Sequence, residues 1–344
     1  MRVSKVTAAL SVILLTAGLV GCSVDHSKPD ASKPTIRIAY QTFPSGDLIV
    51  KNKRWLEDAL PDYNIKWTKF DSGADVNTAF VANEVDFGAL GSSPVARGLS
   101  APLNIPYSVA FILDVAGDNE ALVSRNGTGI ESVADLKGKR VATPFASTAH
   151  YSLLAALDQA GLSAADVQLI DLQPQAILAA WERGDIAAAY TWLPTLDQLS
   201  QTGKTLVTSR QLAERGKPTL DLAAVSDTFA KDNPKVVDIW RQQQARALTV
   251  IAQDPDSAAE AVAAEVGLST DDVAQQLKKA VFLTPAEVAS VQWLGSEGKP
   301  GNLAANLENA SQFLADQKQI PAPAPLSVFQ NAIYTQGLPD VLNR

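Results

Sequence analysis

Short apolar runs separated by helix-forming segments fill the first two thirds of the chain, and this rhythm restricts the fold more than any other feature. Runs 35–40, 65–70 and 85–90 are rich in β-branched and aromatic residues, and the stretches between them carry Ala, Leu and Val at helical spacing. Strands interrupted by helices pair through crossovers rather than hairpins, which predicts an α/β chain with a parallel sheet covered by helices. Runs 105–113 and 120–124 add two strands around a polar turn over 114–119. The rhythm restarts near Ile130, with strands at 140–143, 167–172 and 186–190 and helices at 149–160 and 174–183, the latter with Pro174 at the tolerated first position. Run 220–225 is a strand that returns the chain to the first unit. After Asp227 the pattern is helical, most clearly over 227–253, 256–266 and 303–317, and 320–325 is expected as packed loop. A folded part starting near Thr35 is long enough for two lobes rather than one.

The N-terminus indicates a compartment. Arg2 and Lys5 precede an apolar stretch over 8–21, the pattern of a signal peptide and too short to span a bilayer comfortably. It ends in Leu19-Val-Gly-Cys22, which resembles a bacterial lipobox. The expectation is a lipoprotein signal peptide over 1–21, a lipid on Cys22 and a flexible tether over 22–34. An ordinary secretory signal with an incidental Cys is the other reading. Cys22 is the single Cys of the chain, so an intrachain disulfide is excluded. The predicted location is extracytoplasmic, on the outer face of the cytoplasmic membrane or in the periplasm. The net charge of −8 becomes −10 without Arg2 and Lys5, and no basic run interrupts it. Such a surface argues against nucleic acid and against a polybasic membrane patch.

Open α/β sheets place ligands beyond the carboxyl ends of their strands, and three features fall there. Gly91-Ser-Ser-Pro94 follows run 85–90. A Ser N-cap followed by Pro leaves outward N–H groups that favour an anion, although helix capping alone accounts for the same residues. Pro144-Phe-Ala-Ser-Thr-Ala-His-Tyr151 supplies the hydroxyls of Ser147 and Thr148 and a second set of N–H groups. Two helix starts, one per lobe, can close on one tetrahedral oxyanion. His150 is one of two His, and without a nearby cluster of ligating side chains no metal is expected, so a packed or hydrogen-bonded His fits better. Glu120 opens run 120–124, Asp221 lies in Pro218-Thr-Leu-Asp-Leu222, and Trp192 follows run 186–190. An acid in an apolar strand needs a positive partner, either a ligand cation or a nearby Lys or Arg. Trp192 offers a cation–π face.

Ala39-Tyr-Gln-Thr42, Phe70-Asp-Ser-Gly-Ala74, Gly91-Ser-Ser-Pro94 and Glu120-Ala-Leu-Val123 resemble the taurine-binding components of ABC importers. So do the long segment from Lys137 to Leu154, Ala179-Ala-Trp-Glu-Arg-Gly-Asp185 and Pro218-Thr-Leu-Asp221, in colinear order over 36–222. Beyond that the likeness is to aliphatic-sulfonate and nitrate solute-binding proteins in general. The resemblance implies the type II periplasmic-binding-protein fold, two α/β lobes joined by crossover strands with the ligand cleft between them. Lobe 1 would comprise 35–118 plus 223–344, and lobe 2 would comprise 119–222.

It implies binding rather than catalysis, no cofactor, a monomer, and delivery of a small zwitterionic sulfonate to an ABC permease with a cytoplasmic ATPase. Gln41, Ser92, Ser93 and Thr148 would surround the anionic head. Glu120 and Asp221 would hold the ammonium, with Trp192 and His150 shaping the pocket. Leu222-Ala-Ala224 replaces an aromatic often found there, which leaves taurine, hypotaurine, another small sulfonate and betaine-like zwitterions open. Thiamine-precursor enzymes share the fold, but no His cluster, nucleophile elbow or cofactor-binding Lys pattern supports catalysis.

Overall fold

The structure, a computed structural model, describes residues 30–342. The expected signal peptide and Cys22 lie outside the described residues. Ten strands build two five-stranded sheets: β1 (Thr35–Tyr40), β2 (Asn64–Lys69), β3 (Phe87–Gly91), β4 (Tyr107–Val115), β5 (Glu120–Arg125), β6 (Arg140–Thr143), β7 (Gln168–Asp171), β8 (Ala188–Trp192), β9 (Gly203–Thr208) and β10 (Leu220–Ser226). The first sheet runs β2-β1-β3-β10-β4 and the second β7-β6-β8-β5-β9.

Each sheet is mixed rather than parallel throughout. In the first, β1 pairs parallel with β2 and β3, whereas β10 is antiparallel to both β3 and β4. In the second, β6 pairs parallel with β7 and β8, whereas β5 is antiparallel to β8 and β9. The reversed strand in each case is the one that has just crossed from the other sheet. The two sheets therefore share one topology, a repeat that the residue pattern does not display.

Residues 116–119 and 209–219 carry the chain between the sheets, the second crossing containing the helix Ser209–Glu214. The crossings run side by side. Ala116 N–H donates to the Thr219 carbonyl at 3.0 Å, and Arg210 N–H donates to the Gly117 carbonyl at 3.1 Å. Segment 279–281 clasps the first crossing, since Asp118 N–H donates to the Lys279 carbonyl at 2.8 Å and Val115 exchanges backbone bonds with Val281.

Alternation along β5 buries Leu122 against Val141, Leu153 and Tyr190, and turns Ala121 and Val123 toward Ile177 and Trp181 on the other face. A sheet covered on both sides needs such continuous apolar runs. Under the first sheet, Trp240 of the helix Pro234–Gln253 stacks on Phe87 at 4.8 Å and meets Phe111 edge-on at 6.2 Å.

Four expectations are corrected by the structure. β4 ends two residues later than expected, so Asp114 lies in a strand and not in the polar turn. β8 is displaced likewise, and Trp192 ends the strand instead of following it. The helix expected over 227–253 is broken into Asp227–Asp232 and Pro234–Gln253, because Pro234 disfavours helix at Asn233 and is well placed to start a new one. Finally, β10 belongs to the first sheet from Leu220 onward, so the return falls before residue 222.

Candidate functional site

Three helices begin at the cleft between the two sheets. They are Gly73–Val81, Ser92–Leu99 and Thr148–Gln159, with Ser72, Gly91 and Ser147 as their N-caps. The first-turn N–H groups of a helix have no intrahelical acceptor, and the helix dipole adds a partial positive charge there. The first lobe lines the cavity with Gln41, Phe43, Gly73, Gly91 and Asp221, and the second with Glu120, Ser147, Thr148 and Trp192. No Lys, Arg or His takes part in this lining.

The helix starts differ in detail from the sequence expectation. Gly91, not a Ser, caps the second helix, and the Ser92 hydroxyl accepts the Leu220 N–H at 3.1 Å. That bond ties the helix to β10. Ser92 and Ser93 are both buried and neither lines the cavity, so an anion there would meet the backbone and not these hydroxyls. The Thr148 hydroxyl donates to Glu120 Oε2 at 2.5 Å, so its proton is committed too. Gln41 donates from Nε2 to the Ala89 carbonyl at 2.9 Å, which holds the side chain against β3.

His150 is not brought to the cavity. Its Nδ1 accepts the Ala146 N–H at 3.2 Å, and its ring stacks on Phe145 at 4.6 Å. Burial lowers its pKa to about 4, so it is neutral at physiological pH. It braces the 145–147 turn that sets the direction of Ser147 and Thr148.

Two acids line the same cavity: Glu120, which follows the first crossing, and Asp221, which follows the second. Glu120 begins β5 directly opposite Trp192 on β8, and opposed residues of an antiparallel pair present their side chains to the same face. Glu120 is surrounded by hydroxyls. Besides Thr148, it accepts from Ser209 at 2.6 Å, Ser152 at 3.3 Å and Thr219 at 3.4 Å, all three on Oε1. Burial raises its pKa, while these four hydroxyls oppose the rise.

Asp221 sits on β10 between Gly91 on β3 and Asp114 on β4, at a register irregularity just before Leu222. Such bulges re-aim a side chain, and this one stands at the cavity wall. Among the described residues no hydrogen bond reaches its carboxylate. Burial first, then the negative charge of Glu120, pushes its pKa up to about 8. Asp114 is fully buried, and among the described residues neither of its carboxylate oxygens is hydrogen-bonded. Its pKa is raised well above the ordinary value by burial, then by Asp221 and Glu120.

Gln41, Thr148, Glu120, Trp192 and Asp221 are thus brought together, and Ser92, Ser93 and His150 support the walls. Sequence reasoning missed Phe43, Asn119, Asp114 and the role of Gly73. Gly73 stood inside a motif that already resembled a family pattern, whereas Asp114 gave no signal apart from its acidity next to an apolar run.

Similarity to known proteins is extensive. The family model described as NMT1/THI5 like matches residues 65–258. The taurine-binding periplasmic protein of Escherichia coli is 38% identical over 266 residues, 76% of this chain and 80% of that one. A putative aliphatic sulfonates-binding protein of Bacillus subtilis is 30% identical over 235 residues, 67% of this chain and 68% of the relative. In structure, the alkanesulfonate-binding protein SsuA from Xanthomonas axonopodis pv. citri, bound to MOPS, superposes with a TM-score of 0.74 at 22% identity, over 87% of this chain and 99% of that one. The desulfurization enzyme DSZB has a TM-score of 0.62 at 17% identity, covering 90% and 98% of the two chains. These two structural likenesses speak for the fold alone.

Proposed function

This chain belongs to the NMT1/THI5-like family, and from that premise we propose that it captures taurine, or a close zwitterionic sulfonate, outside the cytoplasm. One observation carries the reading. The interlobe cavity is lined both by helix N-termini and by two acids that no basic side chain of the lining neutralises. A molecule with a negative head and a positive tail satisfies both at once. Amides of the helices that start at Gly73, Ser92 and Thr148 face the sulfonate, and Asp221 and Glu120 face the ammonium, with Trp192 alongside. Gln41 completes the wall of the first lobe.

Plain anions are disfavoured by the same acids, because a ligand without a cation leaves these buried acids without the ion pair that an ammonium supplies. Each lobe contributes a helix start and an acid, so ligand contacts favour the closed arrangement over an open one. The protein works as a binding component and not as an enzyme, handing its cargo to an ABC permease with a cytoplasmic ATPase. A lipid on Cys22 would hold it at the outer face of the membrane. The curated relatives named above are binding proteins, which supports the same assignment.

Calorimetric titration with taurine and with ethanesulfonate, which lacks the amine, tests the reading. Hydrogen bonds to charged groups contribute about 1.5–3 kcal/mol, so ethanesulfonate should bind about 10–100-fold more weakly than taurine. Equal affinity for the two would remove the ammonium subsite from the model.

A further inference from the structure

Asp114 plays no part in the lining described above, yet it is the most isolated acid of the cleft region. It lies beside Asp221, its register partner on β10, and is fully buried with both oxygens unpartnered among the described residues. The charged groups around it offer no compensation. Asp221 on β10 and Glu120 on β5 are acids. On the crossings and the segment that clasps them, Arg210 is committed to Asp118 at 2.9 Å and Lys279 to Asp197. On the helix Pro234–Gln253, Arg241 is committed to Asp238 and to the carbonyls of Tyr334 and Gln336. An isolated carboxylate in such surroundings takes up a proton in preference to staying charged.

We propose that the empty cleft keeps protonated carboxyls on both Asp114 and Asp221, and that a seated ammonium group replaces the proton of Asp221. Asp221–COOH becomes Asp221–COO⁻ paired with the cation, and its proton leaves to solvent. Asp114 stays a neutral acid throughout, which sets the charge of this site to suit one ammonium group and not two. The inference rests on the zwitterion reading of the same cleft. It adds that capture is an exchange of a cation for a proton, so a ligand with an uncharged tail leaves that proton in place and gains no ion pair.

The pKa of Asp221, raised to about 8, fixes the sign of the linkage. Ligand favours the ionised form, so affinity rises with pH below about 8 and flattens above it, until the free ligand amine begins to lose its own proton.

Calorimetry of taurine binding at pH 7 in buffers of different ionisation enthalpy should show about one proton released per ligand, and Kd should fall by up to about tenfold from pH 6 to 7. Asp221→Asn should abolish the release. Asp114→Asn, a neutral mimic, should retain both the release and an affinity within about threefold of the parent. A tenfold or greater loss in Asp114→Asn, with its fold intact, would show that Asp114 is ionised and overturn the proposal, as would a Kd independent of pH between 6 and 8. Infrared spectroscopy of the ligand-free parent and of Asp221→Asn at pH 7, both in an Asp47→Asn background, decides the stored proton without any ligand. The protonated-carboxyl band should be present in the parent and weaker in Asp221→Asn, and no difference between the two refutes the idea even if Asp114→Asn fails to fold. If taurine gives no binding heat but the difference is present, the ligand assignment fails and the proton store stands.

Discussion

Gly91 and Thr148 meet across the cleft so closely that a Cβ on residue 91 would lie 2.3 Å from Thr148 Cγ2. One belongs to the end of β3 and the other to the first turn of the opposing helix, so the approach exists only when the lobes are together. Gly91→Ala should therefore hold the lobes apart while leaving each intact. We expect taurine affinity to fall at least about tenfold, or about 1.4 kcal/mol, with little change in thermal stability. Small-angle scattering with saturating taurine should show the variant remaining more extended than the parent.

The two lining acids are not equivalent. The Asp221 carboxylate is free of hydrogen bonds among the described residues, whereas Glu120 also anchors the hydroxyls of Thr148, Ser152, Ser209 and Thr219. Asp221→Asn should cost about 1.5–3 kcal/mol of taurine binding and little stability. Glu120→Gln should weaken binding and also lower the melting temperature, because an amide cannot accept from four hydroxyls as a carboxylate does. Parallel calorimetry and thermal denaturation separate the two outcomes.

A buried acid far from the crossings gives a prediction in pH. Asp47 lies in the helix Gly46–Asn52 and accepts from Gln244 Nε2 at 2.7 Å. Burial raises its pKa from 3.8 to about 7. The folded state thus holds a proton that the unfolded chain releases, so this contribution is full below about pH 4 and is lost as pH rises through about 7. Asp47→Asn should equal the parent near pH 4 and exceed it by about 1–3 kcal/mol at pH 8. Denaturant titrations at the two pH values provide the check.

Trp240 is the largest fully buried side chain of the first lobe, and among the described residues its indole N–H has no acceptor. Trp240→Ala removes the stack on Phe87 and should destabilise by about 3–5 kcal/mol. Trp240→Phe keeps most of the contact and sheds an unsatisfied donor, so its cost should stay below about 1.5 kcal/mol. Chemical denaturation of both variants tests the order.

The elements legible in the sequence were those with local markers. The helix Pro174–Arg183 was located to the residue because Pro174 opens it and Gly184, at φ 76°, closes it. Glu120 was found as the first residue of its strand for a similar reason, since a polar turn precedes it. β9 escaped because its exposed residues Lys204 and Thr205 mask the apolar alternation of an edge strand. Asp114 escaped for a deeper reason. Its partner Asp221 is distant in sequence, and only the pairing of β4 with β10 sets the two side by side. The roles expected for the Ser92 and Thr148 hydroxyls depended on which acceptor each would find, and those acceptors are likewise set by tertiary packing.

The paired crossings at 116–119 and 209–219 have a mechanical meaning. Glu120 and Thr219 directly adjoin the pivot, while the Gln173 amide reaches Ser72 across the opposite rim at 3.3 Å. A ligand lying along the cleft therefore acts on a lever with unequal arms. Grip at the short arm selects the molecule without doing much to swing the halves, whereas grip toward the rim supplies torque. Two substitutions that cost the same affinity can thus leave the molecule either loosely held in shut jaws or firmly held in slack ones.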